Sequence, residues 1–100
     1  MDNSQYKVDY IGLEKDQIIE AFTYNMMDQL LDCAPSDGFF HLWIKKNPAG
    51  EYESKLDLAS EGLHFSVESH AQNPLMSLDK VWASAKGEIL NWSQQKFNFA

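Results

Sequence analysis

The chain has 100 residues, with 8 Lys against 15 Asp and Glu and a formal charge of −7; it has no Arg. Arg is the usual bidentate reader of phosphate and carboxylate, so its absence counts against a strong nucleic-acid binder. At 44% hydrophobic and 13% aromatic residues the chain can build a core without metal or disulfide help, and its apolar runs fall short of the ~18–20 residues of a transmembrane helix.

The first predicted element is a strand over Tyr6 to Ile11. Tyr6, Val8 and Tyr10 alternate there with Lys7 and Asp9. Before it, Met1-Asp2-Asn3-Ser4-Gln5 is polar and acidic, unlike a signal peptide. A helix follows from Asp16 to Leu31. Ile18, Ile19, Phe22, Met26 and Leu30 form its apolar stripe, and Asp16 is its expected N-cap. Asp16, Glu20, Tyr24, Asp28 and Asp32 recur every four residues and form an acidic ridge on this helix.

Cys33 lies just past the helix, near Asp32 and Asp37. As the single cysteine it excludes an internal disulfide framework and fits a reducing compartment. Its acidic neighbours disfavour a thiolate, so it is expected to be a partly buried structural residue and not a nucleophile.

Three strands come next. Along Phe39 to Lys46, Phe40, Leu42 and Ile44 point inward, while Phe39, His41, Trp43 and Lys45 point outward. Asn47-Pro48-Ala49-Gly50 is a turn, with Pro preset at the second position and Gly free to take positive φ. If Asn47 closes opposite Glu51, the inner pairs are Ile44–Ser54, Leu42–Leu56 and Phe40–Leu58. The outer pairs are then Lys45–Glu53, Trp43–Lys55 and His41–Asp57. Leu63, Phe65 and Val67 alternate with His64, Ser66 and Glu68 in the last strand. A tight turn at Ser60 and Glu61 would pair Asp57 with His64 and set His41, Asp57 and His64 in a row across three strands. Such a row offers zinc-type ligands, but a flat sheet face supplies no cleft. It is therefore a weak metal candidate, and no metal or other cofactor is expected.

A long helix runs from Leu75 to about Phe97, capped by Asn73 with Pro74 at its first position. Its stripe is Leu75, Leu78, Trp82, Ala85, Ile89 and Trp92, with Val81 beside it, so Trp82 and Trp92 are expected in the core. The order β-α-β-β-β-α defines an α+β fold, a four-stranded mixed sheet with two helices packed on one face. The first two strands are joined through a helix and are expected to be parallel, with a right-handed crossover. The reading is one domain over 1–100, with an ordered core of about 6–97, in the cytoplasm.

The order and length, the glycine that ends the first strand in Tyr10-Ile11-Gly12, the short polar turn, and Ser77-Leu78-Asp79 early in the last helix together resemble the hibernation-promoting factor and ribosome-associated inhibitor family in its short form. Ser77-Leu78-Asp79 is similar to that family's Ala-Ile-Asp step. The resemblance covers Tyr6 to about Phe97. It implies a stress-response translation regulator that binds the small ribosomal subunit and its RNA without catalysis. Candidate RNA contacts are Lys45, Lys46, Lys55, Lys80, Lys86 and Lys96, with Trp43 as a stacking surface. This chain departs from the family's basic surface: Ser84 stands at a family Lys, and Gly87-Glu88 stands at Arg-Gln. A second reading therefore stands beside the first. The same fold could serve as an acidic protein-interaction module, such as an inhibitor, an immunity-type antagonist or a nucleic-acid mimic, that meets a basic partner through Asp16, Glu20, Tyr24, Asp28 and Asp32. Neither reading involves a membrane or an enzymatic reaction.

Overall fold

The computed structural model describes residues 5–14 and 16–97, with the side chains of residues 96 and 97 outside that description. Its elements are β1 (Tyr6–Ile11), α1 (Gln17–Cys33), β2 (Phe39–Lys46), β3 (Tyr52–Ala59), β4 (His64–Ala71) and α2 (Pro74–Phe97). They form the expected α+β fold, one four-stranded sheet in the order β1-β2-β3-β4. β1 and β2 run parallel, and the other neighbours are antiparallel.

Local chemistry sets the boundaries. Asp16 is extended at φ −134°, and its carboxylate accepts the Ile18 amide at 2.7 Å, which opens α1. The side chain of Asn73 accepts the Met76 amide at 2.9 Å at the start of α2. In the β2–β3 turn, the Glu51 amide donates to Asn47 Oδ1 at 3.0 Å and Gly50 takes φ +84°. A side chain there would be strained. Gly12 also has positive φ, +75°, and a Cβ on it would meet the Lys46 carbonyl oxygen at 3.3 Å. The end of β1 can therefore lie close to the end of β2.

The β2–β3 register pairs Ile44 with Ser54, Leu42 with Leu56 and Phe40 with Leu58. All six of these side chains are fully buried. α2 packs on β3 and β4 and also touches α1. Ile19, Met26, Met27, Leu30, Phe65, Leu78, Val81, Ala85 and Ile89 complete the core.

The α1 stripe differs from expectation at two positions. Ile18 is 66% exposed, whereas Met27 is fully buried. The helix is rotated so that Ile19, Thr23, Met26, Met27 and Leu30 face inward, which leaves Ile18 one residue off that face. Trp82 and Trp92 lie half-buried at the rim of the core. Trp82 meets Phe22 edge-to-face at 5.6 Å, and the Lys86 ammonium lies 4.5 Å from its ring centroid. Cys33 is exposed, with its thiol donating to the Gln29 carbonyl at 3.4 Å.

One buried layer is polar. Ser54 and Ser69 are register partners on β3 and β4, and Ser77 comes down on them from α2. Ser77 Oγ donates to Ser54 Oγ at 2.6 Å, and Ser69 Oγ donates to the Ser77 carbonyl at 2.6 Å. The network satisfies hydroxyls that would otherwise be costly to bury.

Candidate functional site on the outer sheet face

The two helices cover one face of the sheet, and strand alternation sends every second side chain to the other face. The outer face carries Lys7, Asp9 and Ile11 from β1, and His41, Trp43 and Lys45 from β2. It also carries Glu53, Lys55 and Asp57 from β3, and His64, Ser66, Glu68 and His70 from β4. Cations and carboxylates nearly balance there. The acidic excess of the chain thus lies elsewhere, on the helical layer and the loops.

The centre of this face is Trp43. The His41 ring stacks on one side of its indole, with centroids 3.6 Å apart and planes at 28°. His41 Nε2 is 2.6 Å from Asp9 Oδ2, and Lys7 Nζ is 3.9 Å from the same oxygen. The His41 hydrogen bond, aided by the nearby Lys7 charge, holds the Asp9 carboxyl below the ordinary carboxylate range. Asp9 thus anchors His41, and His41 in turn braces Trp43. Lys55 Nζ lies 5.5 Å from the Trp43 ring centroid. A cleft of about 250 Å³ opens beside Trp43, lined by Ile11, Trp43, Lys45, Glu53, Lys55 and Glu68.

The structure brings Trp43, Lys45 and Lys55 together around this cleft. Lys46 sits at the end of β2, with its ammonium 5.8 Å from the Tyr52 ring centroid. Lys80 and Lys86 are on α2. Lys80 donates to the His70 carbonyl at 3.2 Å along the edge of β4, and Lys86 covers Trp82. The Lys96 side chain lies outside the described residues.

The row of His41, Asp57 and His64 does not form. Ser60 Oγ both accepts the Leu63 amide at 2.8 Å and donates to the Leu63 carbonyl at 2.7 Å. This makes the β3–β4 loop longer than a tight turn, so His64 pairs with Ala59 and Asp57 pairs with Ser66. The slip is two residues, which preserves the face of every side chain. Asp57 accepts the Ser66 hydroxyl at 2.5 Å, while His41 is held by Asp9. Among the described residues no group of three His, Cys, Asp or Glu is placed to hold a metal ion.

On α1, Asp16, Tyr24, Asp28 and Asp32 are exposed and Glu20 is half-buried. Tyr24 meets Tyr6 edge-to-face at 6.4 Å. The Asp16 carboxylate is occupied as the helix cap.

Sequence reading missed Asp9 and Ile11 as members of the outer site. Their outward parity was legible. Their position against β2 follows from a parallel register, Asp9 beside Trp43 and Ile11 beside Lys45, that no short turn dictates.

No family model matches the chain, and no curated protein matches it in sequence. Solved structures do match in fold. The N-terminal domain of Protein Y from Thermus thermophilus superposes with a TM-score of 0.72 at 10% identity, over 88% of this chain and 96% of that one. A ribosomal subunit interface protein from Coxiella burnetii superposes with a TM-score of 0.73 at 9% identity, over 89% of this chain and 97% of that one. The chain therefore has the fold shared by the Protein Y N-terminal domain and this ribosomal subunit interface protein.

Proposed function

We propose that this protein is a non-catalytic, ribosome-associated factor of the hibernation type. It acts in the cytoplasm by binding RNA of the small subunit, and the hairpin side of its outer sheet face makes the contact. The observation that carries the reading is the fold likeness across nearly the whole chain to the ribosomal subunit interface protein of Coxiella burnetii. The local chemistry supports it. Trp43 offers an aromatic surface for a base, Lys45 and Lys55 stand beside it for phosphates, and Lys46 follows at the end of β2. The acidic residues of α1 lie on the opposite layer, so the overall charge of −7 does not describe this face.

Three lysine contacts to single-stranded RNA give a salt slope of about −2, so affinity falls roughly 20-fold between about 50 and 200 mM salt. Co-sedimentation with ribosomes across that range is the test. The protein is expected in the ribosomal pellet at low salt and in the supernatant at high salt. Absence from the pellet at low salt would end the reading.

A second reading rests on Asp28 and Asp32, which are exposed and belong to no ion pair among the described residues. They leave the α1 ridge open to a basic protein partner. Reversing Glu20 and Asp28 to Lys is expected to abolish capture of such a partner, and unchanged capture would refute this reading.

A further inference from the structure

The cleft beside Trp43 has a composition that serves more than general attraction for phosphate. Residues two apart on one strand are separated by about 6.8 Å. His41 and Trp43 are two apart, yet their rings lie at 3.6 Å. The two side chains therefore lean together. The cleft lies on the far side of the indole from His41, since Ile11, Lys45 and Glu53 form the next row of the sheet.

We infer that this cleft takes one unpaired guanine base of a single-stranded RNA, stacked on the Trp43 indole away from His41 in place of the Lys55 ammonium, with its donor edge on the Glu68 carboxylate. The inference rests on the RNA-binding reading above and adds the base to it.

Size, stacking and polarity each contribute. At about 250 Å³ the cleft is smaller than the ~300–1,000 Å³ of sites that bury a whole drug-sized ligand. It suits one base, with sugar and phosphates outside, where Lys45 and Lys55 stand. The indole is braced from behind by His41, which is fixed by Asp9, so the ring itself needs little reordering when a base stacks on it and the Lys55 ammonium moves from the ring to a phosphate. The polar lining then selects among bases. Glu53 and Glu68 are acceptors only. One Glu53 oxygen already accepts from Asn47 Nδ2 at 3.2 Å. Glu68 pairs in register with Lys55 and belongs to no ion pair among the described residues. Guanine presents two adjacent donors, N1–H and the N2 amine, to the two oxygens of one carboxylate. Uracil presents one donor between two carbonyl oxygens, which a carboxylate repels.

The test is a titration of the full chain, followed by the Trp43 indole resonance and the backbone amides in NMR. The probes are the pentaribonucleotides UUGUU and UUUUU, and guanosine and uridine monophosphates. UUGUU is expected to bind at least about fivefold more tightly than UUUUU, the lower end of what one bidentate contact discriminates. Its shifts should centre on Ile11, Trp43, Lys45, Lys55 and Glu68. E68Q is expected to bring the two pentamers to within about twofold while the fold and weaker binding persist, and W43F is expected to weaken both. UUGUU should also exceed guanosine monophosphate by at least about tenfold, because flanking phosphates reach the lysines. Equal affinity for UUGUU and UUUUU, or shifts elsewhere on the molecule, would overturn the proposal. So would tighter binding of the free nucleotide than of UUGUU. Failure of the ribosomal reading looks different: the protein would stay out of the ribosomal pellet while still preferring UUGUU.

Discussion

The buried serine layer gives the most exacting test of the packing. Ser54 and Ser77 are both fully buried, and the Ser77 hydroxyl donates to Ser54 Oγ at 2.6 Å. Removing one partner strands the other. S77A takes away the hydrogen-bond partner of the fully buried Ser54 hydroxyl, which lies between its register neighbours Ile44 and Ser69, and an unsatisfied buried group costs about 1–3 kcal/mol. S54A is expected to cost less, about 1 kcal/mol, because a helical serine can turn its hydroxyl to the carbonyl one turn back. The double variant removes both hydroxyls together, which is nearly neutral relative to one unpaired group. It is therefore expected to be no less stable than S77A alone, with a coupling of about 1 kcal/mol in the cycle. Urea unfolding of the four proteins measures this, with an unchanged denaturant slope as the check that the same surface unfolds. Losses that simply add, to within about 0.3–0.5 kcal/mol, would show that the two hydroxyls are independent and refute the reasoning.

Other consequences follow from single positions. M27A is expected to lose about 2–5 kcal/mol in urea unfolding, as for a large buried side chain, whereas I18A stays within about 0.5 kcal/mol. Equal losses would mean that α1 faces the sheet differently. The Asp9 carboxyl is held low chiefly by the His41 hydrogen bond. Its contribution to stability is present above the unfolded carboxylate value, about 3.9, and is lost as pH falls through the lower folded value. D9N should accordingly flatten the acid limb of a stability-against-pH curve without moving its alkaline limb. An acid limb unchanged in D9N would remove Asp9 from the account. The same variant should broaden or shift the Trp43 indole resonance, since it frees the ring that braces Trp43.

How much of this was legible in the sequence depended on whether a local feature set the geometry. The β2–β3 register was fully readable, because Asn47 to Gly50 specifies both the turn and the opposing residues. Helix starts at Asp16 and Asn73 were readable for the same reason, since each cap acts within three residues. The β3–β4 register was not readable. Ser60 closes a longer loop on itself with its own hydroxyl, so the expected neighbour of Asp57 moved from His64 to Ser66. The parallel β1–β2 register depends on how α1 spans the sheet, which hides the Asp9–His41 contact from any local reading. Burial of Ser77 was similarly opaque. It sits where the resembled family has Ala, and only the arrival of Ser54 and Ser69 from two strands makes a hydroxyl acceptable there. The outward parity of Trp43 and of the hairpin lysines was legible, and the cleft that gathers them with Ile11 and Glu68 needed the assembled sheet.

The most direct test of the central claim compares two charge reversals in one ribosome co-sedimentation assay at low salt. If the hairpin face meets RNA, K45E/K55E is expected to leave the ribosomal pellet, while E20K/D28K stays in it or binds more tightly. Retention of K45E/K55E together with release of E20K/D28K would contradict the account and assign binding to the acidic ridge of α1.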